Sequence, residues 1–130
     1  LTRKFDDYIK EEERAFFANE YADLFLSIHL CSDNQYHYSD TTKIIIFEDD
    51  ITEFDISPKK CADILKDNIL KYTDFSGAEI LNEYKTEFKD MKVPAVLCEL
   101  GYSKKYADLN DFVYKAALGI YEGMKEAILN

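Results

Sequence analysis

No apolar stretch of this chain approaches the ~20 residues that a helix needs to cross a bilayer, and no charged and apolar leader opens it. It begins at Leu1 rather than Met, which points to an upstream segment, so the missing leader says little about where the parent protein works. Basic charge is scarce as well: 16 Lys and Arg against 26 Asp and Glu leave a formal charge of −10. A polyphosphate partner requires a basic footprint, and nucleic acid is therefore not the expected ligand. Cysteine is sparse and odd in number. Cys31, Cys61 and Cys98 are too widely spaced for a disulfide framework or a CxxC metal knuckle, and read as free thiols. Repeats and low-complexity linkers are absent.

The carboxylates gather in residues 6–13 and 48–55, where a solvated surface is the plain reading. The second cluster lacks the spacing and the glycine of an EF-hand loop. At 130 residues and 47% hydrophobic, the chain supports one domain with a genuine core and is too short for two.

Asp6 or Asp7 is a candidate cap for a first helix over about Tyr8 to Tyr21, with Glu11 in its first turn and Ile9, Phe16 and Phe17 among its apolar positions. Leu24 to Leu30 reads as a buried strand. The polar run from Ser32 to Asp40 is a loop, and Lys43-Ile44-Ile45-Ile46-Phe47 is β-branched enough for the next strand. Ser57-Pro58 starts a second helix, with serine as N-cap and proline in the first turn, and apolar residues at helical spacing carry it to about Tyr72. Ala78 to Phe88 is ambiguous between helix and strand by periodicity. Val93-Pro94 enters another apolar strand, where a starting proline is tolerated.

A long closing helix follows, on which Leu109, Phe112, Val113, Ala116, Ala117, Ile120, Tyr121, Met124 and Ile128 trace one face. Gly119 and Gly123 are expected to permit close packing there. Lys115, Glu122, Lys125 and Glu126 argue against reading that Gly-x-x-x-Gly as a membrane motif. The expected fold class is α/β, a mostly parallel sheet flanked by helices.

Two apolar runs each end in one polar group: Leu24-Phe25-Leu26-Ser27-Ile28-His29 and Pro94-Ala95-Val96-Leu97-Cys98-Glu99-Leu100-Gly101. Strands that deliver His or Glu at their carboxyl ends are how an open α/β sheet presents catalytic or metal-binding groups. By alternation, Ser27, His29 and Cys31 share one strand face. His29 by itself reads equally as a histidine hydrogen-bonded at the edge of the core. Glu99, at the end of an apolar strand, calls for a partner such as a cation or a structural ion pair.

With Thr2-Arg3, Asp6, Arg14, Ala18-Asn19, residues 22–29 and residues 94–102 in this order, the chain resembles the type-3 family of zinc-dependent N-acetylmuramoyl-L-alanine amidases, which cleave peptidoglycan. The two strand blocks together with the amphipathic closing helix carry the resemblance. It implies that His29 is the family's last zinc-binding histidine and that Glu99 is its catalytic glutamate. It implies Zn²⁺ as cofactor, peptidoglycan as partner, and the amide between N-acetylmuramic acid and L-alanine as the bond cut. The activity would lie outside the cytoplasmic membrane, at the cell wall, or inside a host until lysis for a phage enzyme.

The family also has an upstream histidine and an upstream glutamate as zinc ligands, and this chain begins at the threonine-arginine that follows them. The resemblance therefore makes residues 1–130 one amidase-like domain, incomplete at its N-terminus, that does not hold zinc in the usual geometry by itself. His37 falls where the family has no ligand. Cys31 replaces the usual asparagine, and on the face of His29 it either crowds the site or, as the minor alternative, acts as a substitute soft ligand. Two rivals stand beside this reading: a catalytically silent relative that binds cell-wall peptide or a partner protein, and a metallohydrolase acting on another amide.

Overall fold

The computed structural model describes residues 8–30, 41–47, 56–101 and 109–129. Expectations for Thr2-Arg3, Asp6, Asp7, the Ser32 to Asp40 loop with His37, Cys31, the acidic run 48–55 and Tyr102 fall outside those residues. The elements in chain order are α1 (Glu11–Tyr21), β1 (Phe25–Leu30), β2 (Thr41–Ile46), α2 (Pro58–Tyr72), β3 (Gly77–Asn82), a 3-10 turn η1 (Thr86–Phe88), β4 (Ala95–Leu100) and α3 (Leu109–Leu129).

The four strands lie in the order β1-β4-β2-β3. β1 runs parallel to β4 and β2 parallel to β3, while β2 and β4 are antiparallel. The expected α/β architecture with a mostly parallel sheet is what forms. β2, α2 and β3 make one βαβ unit, since two parallel neighbours cannot be joined by a tight turn and need a crossover. The ambiguous segment 78–88 resolves into β3 followed by η1.

Alternation along the strands sorts the core into two layers. Ile44, Ile46, Val96, Cys98 and Leu100 face α2 and α3, joining Cys61, Leu65, Ile69, Phe112, Ala116 and Ile120 in one cluster. Ile45, Ala95 and Leu97 point the other way, against Phe88 of η1. β2 and β4 are thus covered on both faces, which is why they read as continuous apolar runs. β1 is different. Among the described residues it is an edge strand, and Ile28 and Leu30 are about half exposed, so the expectation of a buried strand holds only for its pairing with β4.

Ser57 caps α2 as expected, its side chain accepting from the Lys60 N–H. α1 starts later than expected, at Glu11 with Lys10 as N-cap, and Glu13 accepts from the Lys10 backbone N–H at 3.0 Å. Its inward residues are Ala15 and Ala18, whereas Phe16 and Phe17 are exposed: the helix packs through its small residues, and Phe17 stacks on Tyr21 at 5.1 Å instead. On α3, Val113, Tyr121 and Ile128 likewise turn outward, because the buried stripe is narrow, running through Phe112, Ala116, Gly119, Gly123 and Ala127.

That narrow stripe lets α3 approach α2 closely. A Cβ on Gly119 would lie 3.0 Å from the Ile69 Cα and 3.1 Å from the Asn68 carbonyl oxygen, both backbone atoms that cannot swing aside. Asn68 secures the same contact, donating to the Ile64 carbonyl and to the Glu126 carboxylate, and Phe75 meets Phe112 edge to face at 5.8 Å.

Gly119→Ala is expected to lower the unfolding free energy by about 1–3 kcal/mol, despite the ~1 kcal/mol that alanine gains in an exposed helix. Urea denaturation checks this, with Gly77→Ala as the control, because a Cβ there meets only Thr41 Cγ2 at 3.8 Å. An unchanged or raised midpoint for Gly119→Ala would show that the helices are not held together this tightly.

Burial also governs the thiols. It pushes Cys61 up from an ordinary value of 9.0 to about 11, and Cys98, which also feels Cys61, to about 12. Both are free and buried, and the thiolate is the reactive form, so neither should alkylate at neutral pH until the chain unfolds. In the unfolded chain the thiols ionise from about pH 9, whereas the folded protein holds their protons to about 11 and 12. Their contribution to stability is therefore complete below pH 9 and is lost as pH rises through those values. Denaturation midpoints across the alkaline range test the sign.

Candidate functional site

The parallel register of β1 and β4 sets His29 directly opposite Glu99. Registered residues on adjacent strands project to the same face, so both side chains lie at the carboxyl end of their strands and on one side of the sheet. This is the side of Phe25, Ala95 and Leu97, away from α2 and α3. The register continues across the sheet through Lys43, opposite Glu99, to Glu79, opposite Lys43, giving a row of four polar residues at one level.

The backbone beneath this row is held by Thr42, fully buried, whose hydroxyl donates to the Glu99 carbonyl at 2.9 Å. Glu99 itself is only partly buried, and among the described residues its carboxylate makes no ion pair. Its partial exposure lowers the cost of keeping the carboxylate charged.

His29, its side chain 46% exposed, does have partners. Its Nε2 lies 2.7 Å from Oε1 of Glu87, a residue of η1, and 3.0 Å from the Ser27 hydroxyl two residues earlier on the same strand face. Ser27 in turn donates to the other carboxylate oxygen of Glu87. Glu87 is held because η1 is followed by a clamped turn. Asp90 adopts φ 61° there, a left-handed backbone that aspartate tolerates, and the Asn19 side chain of α1 donates to the Asp90 carbonyl at 2.8 Å and accepts from the Lys92 N–H at 2.7 Å.

Ser, His and Glu in mutual contact invite comparison with a nucleophilic triad, and the geometry argues against one. In a triad the acid holds the imidazole nitrogen opposite the serine. Here serine and carboxylate meet the same nitrogen, and the Ser27 proton already goes to Glu87.

The sequence-based reading located His29, Glu99 and the shared face of Ser27. It missed Glu87, which lies 58 positions from His29 in the segment whose periodicity was ambiguous, and which no local pattern marks. It also gave no role to Asn19. Among the described residues no group of three His, Cys, Asp or Glu is placed to hold a metal ion, and no helix is long and apolar enough to cross a membrane.

The chain's fold is shared with N-acetylmuramoyl-L-alanine amidases of known structure. The catalytic domain of CwlV, an N-acetylmuramoyl-L-alanine amidase from Bacillus (Paenibacillus) polymyxa var. colistinus, superposes with a TM-score of 0.75 at 23% identity, over 98% of this chain and 70% of that one. The amidase AmiC2 of Nostoc punctiforme gives 0.80 at 19% identity, over 100% and 72%. An N-acetylmuramoyl-L-alanine amidase from Clostridium difficile 630 gives 0.77 at 22% identity, over 97% and 69%. A search of curated protein sequences returns no match. The profile of the type-3 N-acetylmuramoyl-L-alanine amidases matches residues 1–130, the whole length, and the chain belongs to that family.

Proposed function

We propose that this domain hydrolyses the amide between N-acetylmuramic acid and the L-alanine of the peptidoglycan stem peptide, with Zn²⁺ as cofactor, acting at the cell wall. The observation that carries the reading is the register of His29 against Glu99 on adjacent strands in a chain matched along its whole length by this family.

His29 suits the role of one zinc ligand: it is an accessible imidazole whose Nε2 is engaged and whose Nδ1 meets no partner among the described residues. The described residues supply no further ligands around it, so His29 is read as one member of a set. Zinc, when bound, supplies Lewis-acid polarisation of the scissile carbonyl and makes water a stronger acid.

The remaining chemistry belongs to Glu99. A partly exposed carboxylate one strand away from the ligand is placed to take a proton from attacking water and to return it to the departing alanine amine. Without that return the amine leaves as a poor anionic leaving group, so one carboxylate serves both steps. Lys43, one strand further on, lies at the same level of the sheet.

In the full-length protein, Glu99→Gln is expected to retain zinc and lose about 10²–10⁴-fold in amide hydrolysis of purified muropeptides. Wild-type rates from a folded, zinc-loaded mutant would refute the general-base role, and loss of zinc would move Glu99 into the coordination sphere. A protein that binds muropeptides yet releases no peptide would instead be the silent relative.

Among the described residues His29 stands without the two further protein ligands that a catalytic zinc has, so the 130-residue chain is expected to bind zinc weakly. Calorimetric titration tests this, and tight stoichiometric binding that His29→Ala abolishes would reveal ligands outside the described residues.

A further inference from the structure

We infer that Glu87 is a positioning residue for His29: together with Ser27 it fixes the imidazole in the tautomer that carries its hydrogen on Nε2, leaving the Nδ1 lone pair to face a divalent metal. The inference deepens the proposed function and rests on the reading of His29 as a zinc ligand.

An ionised carboxylate only accepts, and a hydroxyl has one hydrogen to give. Ser27 gives its hydrogen to Glu87, which leaves its oxygen an acceptor toward His29 at 3.0 Å. Glu87 Oε1, at 2.7 Å, is an acceptor as well. Both neighbours of Nε2 are therefore acceptors, and the nitrogen between them must be the donor. A neutral imidazole with its hydrogen on Nε2 has its lone pair on Nδ1, and that lone pair is what a metal requires. A carboxylate on the far nitrogen of a metal-binding histidine also orients the ring and increases its donor strength.

The placement is built rather than incidental. Glu87 and Ser27 are 60 positions apart, yet the Glu87 side chain is 78% covered, being 22% exposed, and the turn after η1 is pinned to α1 through both polar atoms of the Asn19 amide. β1 and η1 thus converge on one ring nitrogen, and α1 holds the turn that follows η1.

Two measurements on the full-length protein test this. In the zinc-free protein above neutral pH, nitrogen-15 NMR of the His29 ring should report hydrogen on Nε2 in wild type and a mixture of tautomers in Glu87→Ala. Zinc affinity, measured by competition with a chromophoric chelator, should fall about 10–100-fold in Glu87→Ala and less in Glu87→Gln, whose amide oxygen still accepts and whose matching shape protects the fold. His29→Ala should lose more affinity than either.

If His29→Ala abolishes tight binding while both Glu87 variants keep the wild-type tautomer and affinity, the positioning role is wrong and the ligand reading survives. If His29→Ala keeps its zinc, the ligand reading falls and this inference falls with it. A cobalt-substituted Glu87→Gln protein whose visible spectrum reports a changed coordination number would make Glu87 a ligand itself, which also overturns the positioning role.

Discussion

A slip of one residue between β1 and β4 would turn His29 and Ser27 toward α2 and α3 and bring Phe25 with them, because side chains alternate with a period of two. The parallel register Phe25↔Ala95 through Leu30↔Leu100 is therefore the constraint on which the site depends. It is enforced from several directions at once. Val96, Cys98 and Leu100 must reach the helical layer, Ala95 and Leu97 must reach Phe88, and the Phe25 N–H is tied to the Pro94 carbonyl at 2.8 Å just before the ladder begins. Hydrophobic burial on both faces of β4 thus decides where one partly exposed carboxylate ends up.

The two layers of the domain divide the work. On one side, α3 lies so close to α2 at Gly119 and Gly123 that little space remains between their backbones, and the layer supplies stability. On the other, the cover among the described residues is η1 and its clamped turn, which α1 holds through Asn19. Polar residues survive on that face because water still reaches them, and it is there that His29, Ser27, Glu87 and Glu99 gather. Cys98 shows the contrast. One position before Glu99 and facing the helices, its thiol is pushed up to about 12.

Among the described residues His29 occupies an edge strand of the sheet, and its imidazole is both half exposed and held. β4 fixes its backbone on one side, and Glu87 and Ser27 fix its ring. The same edge position leaves Ile28 and Leu30 about half exposed, on the opposite face of β1 from His29.

The sequence by itself determined the features that are local. Ser57-Pro58 encodes the start of α2, because a capping hydroxyl and a proline without an N–H satisfy the first turn wherever the helix sits. The β-branched run at Ile44 to Ile46 encodes β2, and the blocks ending in His29 and Glu99 identified both strands and the family. The face of α1 was not legible, since the docking of Ala15 and Ala18 rather than Phe16 and Phe17 depends on how closely neighbouring chain approaches. Nor was Glu87. Its role exists only because β1 and η1, 58 positions apart from His29 to Glu87, are brought within hydrogen-bond distance. Hydrophobic periodicity records which residues are buried, while a polar contact between distant segments is set by how the layers close, and that was decided by the tertiary structure alone.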